Sequence, residues 1–160
     1  MNTDKNPHLA PQPAVNNVSN IEAPELFIGL VGAMGTDLSR VGSVLSASLS
    51  AIGYSAKEIR LSALLRDLEK YSDLPTRFRD EHIDKHIRAG DEFRKDCGRN
   101  DAVALLGVGR IKDLRESESS ASAGRAYIIN SLKNPEEVKT LRRIYGDSFY
   151  LVAAYSPLQE

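Results

Sequence analysis

The chain has 160 residues, of which 41% are hydrophobic and 27% are charged, with a formal net charge of -1 and one cysteine. This length can bury a core without metal or disulfide staples, and the near-neutral charge excludes a broad electrostatic surface for nucleic acid or an anionic membrane. One cysteine excludes an intrachain disulfide and a thiolate zinc cluster, and no apolar run reaches membrane-spanning length, so we expect a cytoplasmic protein without an export signal.

Two segments have compositions that disfavour a packed core. Residues 1–24 are rich in asparagine and proline and hold few side chains that a core would bury. Such a segment cannot offset the entropy of ordering its backbone, so we predict a disordered N-terminal arm followed by one folded domain at 25–160. The serine-rich stretch at 116–125 predicts a mobile loop inside that domain.

The first predicted elements are a strand, a glycine-containing turn and a helix. The apolar run at 26–31 predicts a buried strand. A helix follows, with an apolar face formed by Val41, Val44, Leu45, Ser48, Leu49 and Ile52. Gly53 is predicted to end this helix. Between the strand and the helix lies the turn Gly32-Ala33-Met34-Gly35-Thr36-Asp37-Leu38. Glycines let backbone amides approach a ligand, and a helix N-terminus carries unpaired N–H groups, so this unit suits a phosphate.

The turn departs from the phosphate-binding pattern G-x-x-x-x-G-K-[ST]. Gly35 fills the second glycine, but Thr36 stands where the lysine belongs and Asp37 replaces the Ser/Thr. A bound phosphoryl group would lose its main cation, and Asp37 would add a negative charge beside it. Arg40, one turn along the helix, can restore positive charge. The turn therefore fits a nucleotide site about as well as it fits a simple helix cap by Thr36 or Asp37.

Predicted strands and helices alternate through the rest of the chain. A strand at 54–61 leads to a short helix capped by Ser62, and helices follow at about 80–96 and 100–115. A strand at 126–131 runs into Asn134-Pro135-Glu136-Glu137, a capping box with proline at the first helical position, and Gly146 ends that helix. An apolar strand at 149–154 completes the pattern. Four strands separated by helices predict an α/β fold with a small, mainly parallel sheet, and we expect the last strand to lie inside it.

Side chains outside the turn supply further candidates. Arginines brought from neighbouring helices commonly grip phosphates, and Arg77 and Arg94 are the best placed in this chain. His82 and His86 lie one helical turn apart, but no third ligand and no H-E-x-x-H pattern completes a metal site, so we predict an exposed helix face. Cys97 has no partner histidine suggested by its spacing, which favours a small buried or half-buried residue near a helix end.

Four blocks of the sequence resemble one protein family. They are residues 29–38, 86–94, 127–138 and 145–150, and their order and spacing agree with it. Through these blocks, residues 25–160 resemble the N-terminal P-loop-like, nucleotide-kinase-like domain of the anti-phage deoxycytidylate deaminases. In that family the domain precedes a zinc cytidine-deaminase domain, and the whole protein depletes deoxycytidine nucleotides during phage infection. The resemblance implies a three-layer P-loop NTPase-like fold and a nucleotide-facing or regulatory loop at Gly32, Gly35, Thr36 and Asp37.

The deaminase site itself is missing from this chain. Such a site needs H-x-E and a later P-C-x-x-C, which one cysteine cannot provide, so we expect no deamination by the chain alone. We assign no catalytic residue and no metal ligand. The absent loop lysine also argues against carrying over kinase activity. Candidate nucleotide-binding residues are Gly32, Ala33, Met34, Gly35, Thr36, Asp37, Leu38, Arg40, Arg77 and Arg94.

The sequence thus predicts a nucleotide-binding module that regulates an attached or associated deoxycytidylate deaminase. Its ligand would be a nucleoside triphosphate or a deoxynucleotide, with Mg²⁺ participation and homo-oligomerisation left open. Two alternatives stay open. One is a small nucleotide or nucleoside kinase with a degenerate Walker A motif, in which another basic residue replaces the lysine. The other is a non-catalytic interaction domain whose turn is merely structural.

Overall fold

The computed structural model describes residues 23–33, 35–76, 80–117 and 124–155, without the side chains of residues 80–82. Residues 1–22 of the predicted arm, Met34, Arg77 and the middle of the predicted serine-rich loop lie outside the described residues. The described part of the chain contains four strands, β1 Leu26–Gly32, β2 Tyr54–Arg60, β3 Gly124–Asn130 and β4 Phe149–Ala154. Its α-helices are α1 Leu38–Ala51, α2 Leu61–Arg66, α3 Asp80–Asp96, α4 Ala102–Ser117 and α5 Pro135–Tyr145.

The strands form one parallel sheet with the order β2-β3-β1-β4. Helix α1 packs on one face, where Ile28 and Leu30 of β1 meet Leu38 and Leu49 of the helix. A larger apolar cluster on the other face joins the sheet to α2, α3, α4 and α5. The two central strands are largely apolar, with Arg125 and Asn130 of β3 as exceptions, because their alternate residues face both helix layers. The predicted α/β fold with a small parallel sheet is confirmed.

Helix α5 begins and ends as its sequence predicts. The Asn134 side chain accepts a hydrogen bond from the Glu136 amide at 3.0 Å, and the Glu137 carboxylate accepts one from the Asn134 amide at 3.0 Å. Gly146 ends the helix with a φ of 56°. This left-handed region disfavours residues with a Cβ, which explains why a glycine stands there. The predicted capping box and helix end are confirmed.

The expectation that strand β4 lies inside the sheet was wrong. The strand pairs with β1 alone and forms an edge. The apolar run 149–154 indicated burial on both faces, but Tyr150 is 53% exposed and Leu151 is 38% exposed. Within the part of the chain that the structure describes, no further strand covers this edge. Sheet order depends on contacts between distant segments, so the composition of the strand could not predict it.

Two helix predictions also differ in detail. Ser62 lies inside α2, which begins at Leu61 without a side-chain cap. Val44 and Ile52, assigned to the apolar face of α1, are 60% and 70% exposed. Helix α1 instead contacts the sheet along a narrow line, and the buried residues of this line are Leu38, Gly42 and Leu49. Because a single described helix covers this sheet face, the flanks of its apolar stripe stay in solvent.

Candidate functional site

A cavity of about 650 Å³ opens at the carboxyl end of the parallel sheet. Its walls are the turn after β1, the start of α2, one side of α3 and the loop between β3 and α5. From the carboxyl end of β1, the chain passes through α1 to β2 at one edge of the sheet. From the carboxyl end of the neighbouring strand β3, it passes through α5 to β4 at the opposite edge. Open parallel sheets bind their ligands at such a reversal of direction. The position of the cavity therefore makes it the leading candidate site.

The turn after β1 forms one wall of this cavity. The lining includes Ala33, Gly35, Thr36, Asp37 and Leu38. Gly35 has a φ of 86°, a backbone conformation that favours glycine, and a Cβ there would meet nothing within 4 Å. The turn therefore needs a glycine here because of its backbone conformation. Space is not the reason, since a larger side chain would fit at this position.

Several backbone amides of the turn are already bonded within the protein. The Thr36 amide donates to the Ala33 carbonyl at 3.1 Å, and the Leu38 amide donates to the Thr36 carbonyl at 2.9 Å. The Asp37 carboxylate caps α1 by accepting the Arg40 amide at 3.0 Å. This carboxylate places negative charge where an anion at the helix N-terminus would bind. The interpretation of Asp37 as a helix cap is confirmed, and the Thr36 and Leu38 amides are already used within the turn.

The predicted arginine ligands occupy different surroundings. Arg40 is exposed on α1 and does not belong to the described lining of the cavity. Arg94 does line the cavity, but its guanidinium is held by carboxylates: Nη2 lies 2.6 Å from Oε1 of Glu137, and Nη1 lies 3.1 Å from Oδ1 of Asp91. Glu137 is fully buried and Arg94 nearly so. Most of the donors of Arg94 are therefore used inside the protein.

Two cations of the cavity were missed in the sequence. Arg60, at the end of β2, has its Nε 3.2 Å from Oε1 of Glu58. Lys133 lies in the loop between β3 and α5, and its ammonium group has no carboxylate partner among the described residues. Each of them stands at or just after the carboxyl end of a strand. Because such ends meet at one edge of a parallel sheet, this position was the signal that could have found them.

Glu137 fixes the loop that carries Lys133. Its Oε2 accepts the backbone amides of Lys133 at 2.7 Å and Asn134 at 3.0 Å, while its Oε1 accepts Arg94. The preceding amide of Leu132 donates to the Leu30 carbonyl of β1 at 2.9 Å. One buried carboxylate therefore joins α3, the start of α5 and the loop at the cavity.

The remaining walls are largely apolar. They include Leu61, Leu65, Ile83, Ile87 and Val103, from α2, α3 and α4. His86 also lines the cavity, and its Nε2 lies 2.9 Å from the Pro75 carbonyl, so it is not on the open helix face that was predicted. The His82 side chain lies outside the described residues. Among those described, no group of three or more His, Cys, Asp or Glu side chains could hold a metal ion.

Cys97 is exposed, so the prediction of a buried or half-buried residue was wrong. It lies just beyond the end of α3, in a turn where Gly98 has a φ of 62°.

Comparison with protein-family models and with curated proteins finds no match for this chain. Within the described residues, no helix is both long enough and apolar enough to span a membrane.

Proposed function

We propose that the chain is a nucleotide-binding module and that its ligand lies in the cavity at the carboxyl edge of the sheet. The observation that carries this proposal is the mixed lining of the cavity, which joins an apolar wall to the cations Arg60 and Lys133. A nucleotide combines an anion with a planar, largely apolar base, and such a lining meets both requirements. A volume of about 650 Å³ lies in the range of small-molecule sites.

A P-loop NTPase-like fold is part of the same proposal. A glycine-containing turn joins the central strand β1 to α1 and lines the cavity, which supports it. We propose binding without phosphoryl transfer because the turn has no lysine, and because its Thr36 and Leu38 amides are bonded to the turn itself. A site that transfers phosphoryl groups needs preorganised donors aimed at the developing charge.

The regulatory role is proposed on the resemblance to the N-terminal domain of the anti-phage deoxycytidylate deaminases. In this proposal the bound nucleotide controls a zinc deaminase domain or subunit, which supplies the chemistry that this chain lacks. A nucleotide would then serve as the signal in an antiviral response that depletes deoxycytidine nucleotides.

Calorimetric titration with ATP, GTP, dCTP and dCMP, with and without Mg²⁺, tests the binding proposal. Binding without phosphate release or deamination supports it, whereas Mg²⁺-dependent phosphoryl transfer would favour the kinase alternative. Absence of binding by all four nucleotides would contradict it.

Two isoleucines provide a matched pair of variants for locating the ligand. Ile87 lies on the cavity wall in α3 and is 37% exposed, and Ile144 lies on α5 outside the described lining and is 45% exposed. Ile87→Glu places a charged carboxylate in the apolar wall, where a bound base would have to desolvate it, and should weaken binding about 10-fold or more, while Ile144→Glu should leave it unchanged. Equal affinities of the two variants would place the ligand elsewhere.

The interaction-domain alternative is favoured by one observation of its own. The edge strand β4 carries no charged residue, and Tyr150, Leu151 and Tyr155 are exposed there. Uncharged edges pair readily with other strands. Such pairing would use a different surface from the cavity, so it can accompany nucleotide binding.

A further inference from the structure

We propose that Lys133 supplies the phosphate-binding cation that the turn after β1 lacks, an inference that rests on the proposed nucleotide site. Strands β1 and β3 are hydrogen-bonded neighbours, with Leu30 paired to Asn130. The turn after β1 and the loop after β3 therefore leave the sheet side by side. Lys133 and Thr36, which stands where the lysine of the pattern belongs, line the same cavity. The ammonium group of Lys133 can thus take the place of the lysine that is missing from the turn.

The charge balance of the cavity singles out Lys133. The lysine and arginine side chains of its described lining are Arg60, Arg94 and Lys133. Arg60 is paired with Glu58, and Arg94 is paired with Glu137 and Asp91. Lys133 has no carboxylate partner among the described residues. An ammonium group without an internal partner keeps its donors for an anionic ligand, which makes Lys133 the strongest candidate for a phosphate contact.

Arg94 is then a positioning residue and not a phosphate ligand. It holds the buried carboxylate of Glu137 through Nε and Nη2 at 3.2 and 2.6 Å, and Glu137 in turn accepts the Lys133 amide at 2.7 Å. This chain of contacts fixes the backbone from which the Lys133 side chain projects. The sequence block that contains Arg94 therefore acts on the ligand through the loop after β3.

Titration of Lys133 variants with dCTP, ATP and deoxycytidine tests the phosphate contact. We expect Lys133→Met to weaken binding of both nucleotides about 10- to 100-fold, as loss of a charge-assisted hydrogen bond implies, and to leave deoxycytidine binding unchanged. Lys133→Arg should restore most of the affinity. Lys112→Met, at an exposed position of α4 outside the described lining, is the control and should have no effect. The melting temperature should stay constant in all three variants because both lysines are exposed.

The outcomes separate this inference from the proposed function. Nucleotide binding that survives Lys133→Met overturns the role of Lys133 alone. Wild-type protein that binds neither nucleotide overturns both proposals. A loss of affinity that is equal for nucleotides and deoxycytidine would show a general disturbance of the cavity and would also overturn the phosphate contact.

A double-mutant cycle with Arg94→Lys tests the positioning role. Arg94→Lys should weaken dCTP binding in the wild-type background but have little further effect in the Lys133→Met background, because both changes remove the same contact. A purely structural role for Arg94 predicts the same loss in both backgrounds and would overturn the assignment. Glu137→Gln, which keeps the shape of the side chain, provides a second variant for the same cycle. Melting temperatures should fall equally in the two backgrounds.

Discussion

Gly107 and Gly109 lie two residues apart in α4, in opposite surroundings. A Cβ on Gly107 would lie 2.8 Å from Cδ2 of Leu61, and Leu61 is almost completely buried, so it has little room to move. A Cβ on Gly109 would meet nothing within 4 Å. The first glycine therefore lets α4 approach α2 closely, while the second has no packing role.

These surroundings predict opposite effects of the same substitution. Gly107→Ala should lower the free energy of unfolding by about 1–2 kcal/mol, because overpacking outweighs the better helix propensity of alanine. Gly109→Ala should raise it by about 0.5–1 kcal/mol, since only the propensity changes. Urea denaturation measures both, and a stabilising Gly107→Ala would contradict the close packing of α2 and α4.

Asp101 predicts how stability depends on pH. Hydrogen bonds from the Arg99 guanidinium at 2.9 Å and from Oγ1 of Thr140 at 2.6 Å hold the pKa of its carboxyl well below the usual range. A folded-state pKa below the unfolded value of about 3.9 means that the ionised group stabilises the fold fully above that pH. This contribution is lost as the pH falls below about 4 towards the folded-state pKa.

Asp101→Asn should therefore lower the free energy of unfolding near pH 7 by on the order of 1–3 kcal/mol, the value of hydrogen bonds to a charged group. The variant should also lose stability less steeply than wild type between about pH 4 and 2.5, because it lacks the titrating group. Asp113→Asn, on the exposed side of α4, is the control and should follow the wild-type pH dependence. Denaturation curves at several pH values measure this difference.

At the scale of elements, Glu137 has more roles than its sequence pattern reveals. The capping box was predictable because its residues are neighbours in the chain, and the structure confirms it. Its buried ion pair with Arg94 was not predictable, since the two residues are 43 positions apart. The same limit explains why Lys133 was missed. A lysine after a strand marks the carboxyl edge of the sheet, but only the pairing of β1 with β3 shows that it lies beside the glycine turn.

Glu136 and Glu137 are adjacent in α5 and give a matched test of this ion pair. Glu137→Gln should lower the free energy of unfolding by about 2–4 kcal/mol, because the buried charge of Arg94 would keep only the largely exposed carboxylate of Asp91 as a partner. Glu136 is exposed and pairs with Lys139, so Glu136→Gln should change the free energy of unfolding by at most about 0.5 kcal/mol. Chemical denaturation of both variants measures the difference, and equal effects would contradict a structural role for the Arg94–Glu137 pair.

At the scale of the whole molecule, the two edges of the sheet differ in charge. The edge strand β2 carries Lys57, Glu58 and Arg60, and charged side chains on an edge oppose pairing with another sheet. The opposite edge strand β4 has the sequence FYLVAA, which contains no charge. Local patterning predicted both strands and their parallel arrangement, but it could not show that β4 would be the unprotected edge.

This asymmetry predicts concentration-dependent self-association through β4. Tyr150→Lys places a charge on the open edge, at a side chain that is 53% exposed, and should shift the protein towards monomer in sedimentation velocity. Ile52→Lys adds the same charge at a 70% exposed apolar position at the end of α1, just before the opposite edge strand β2, and should leave association unchanged. Because the two variants have equal net charge, a difference between them reports the edge strand and not general repulsion. Equal behaviour of both variants and wild type across the concentration range would show that β4 is not the associating surface.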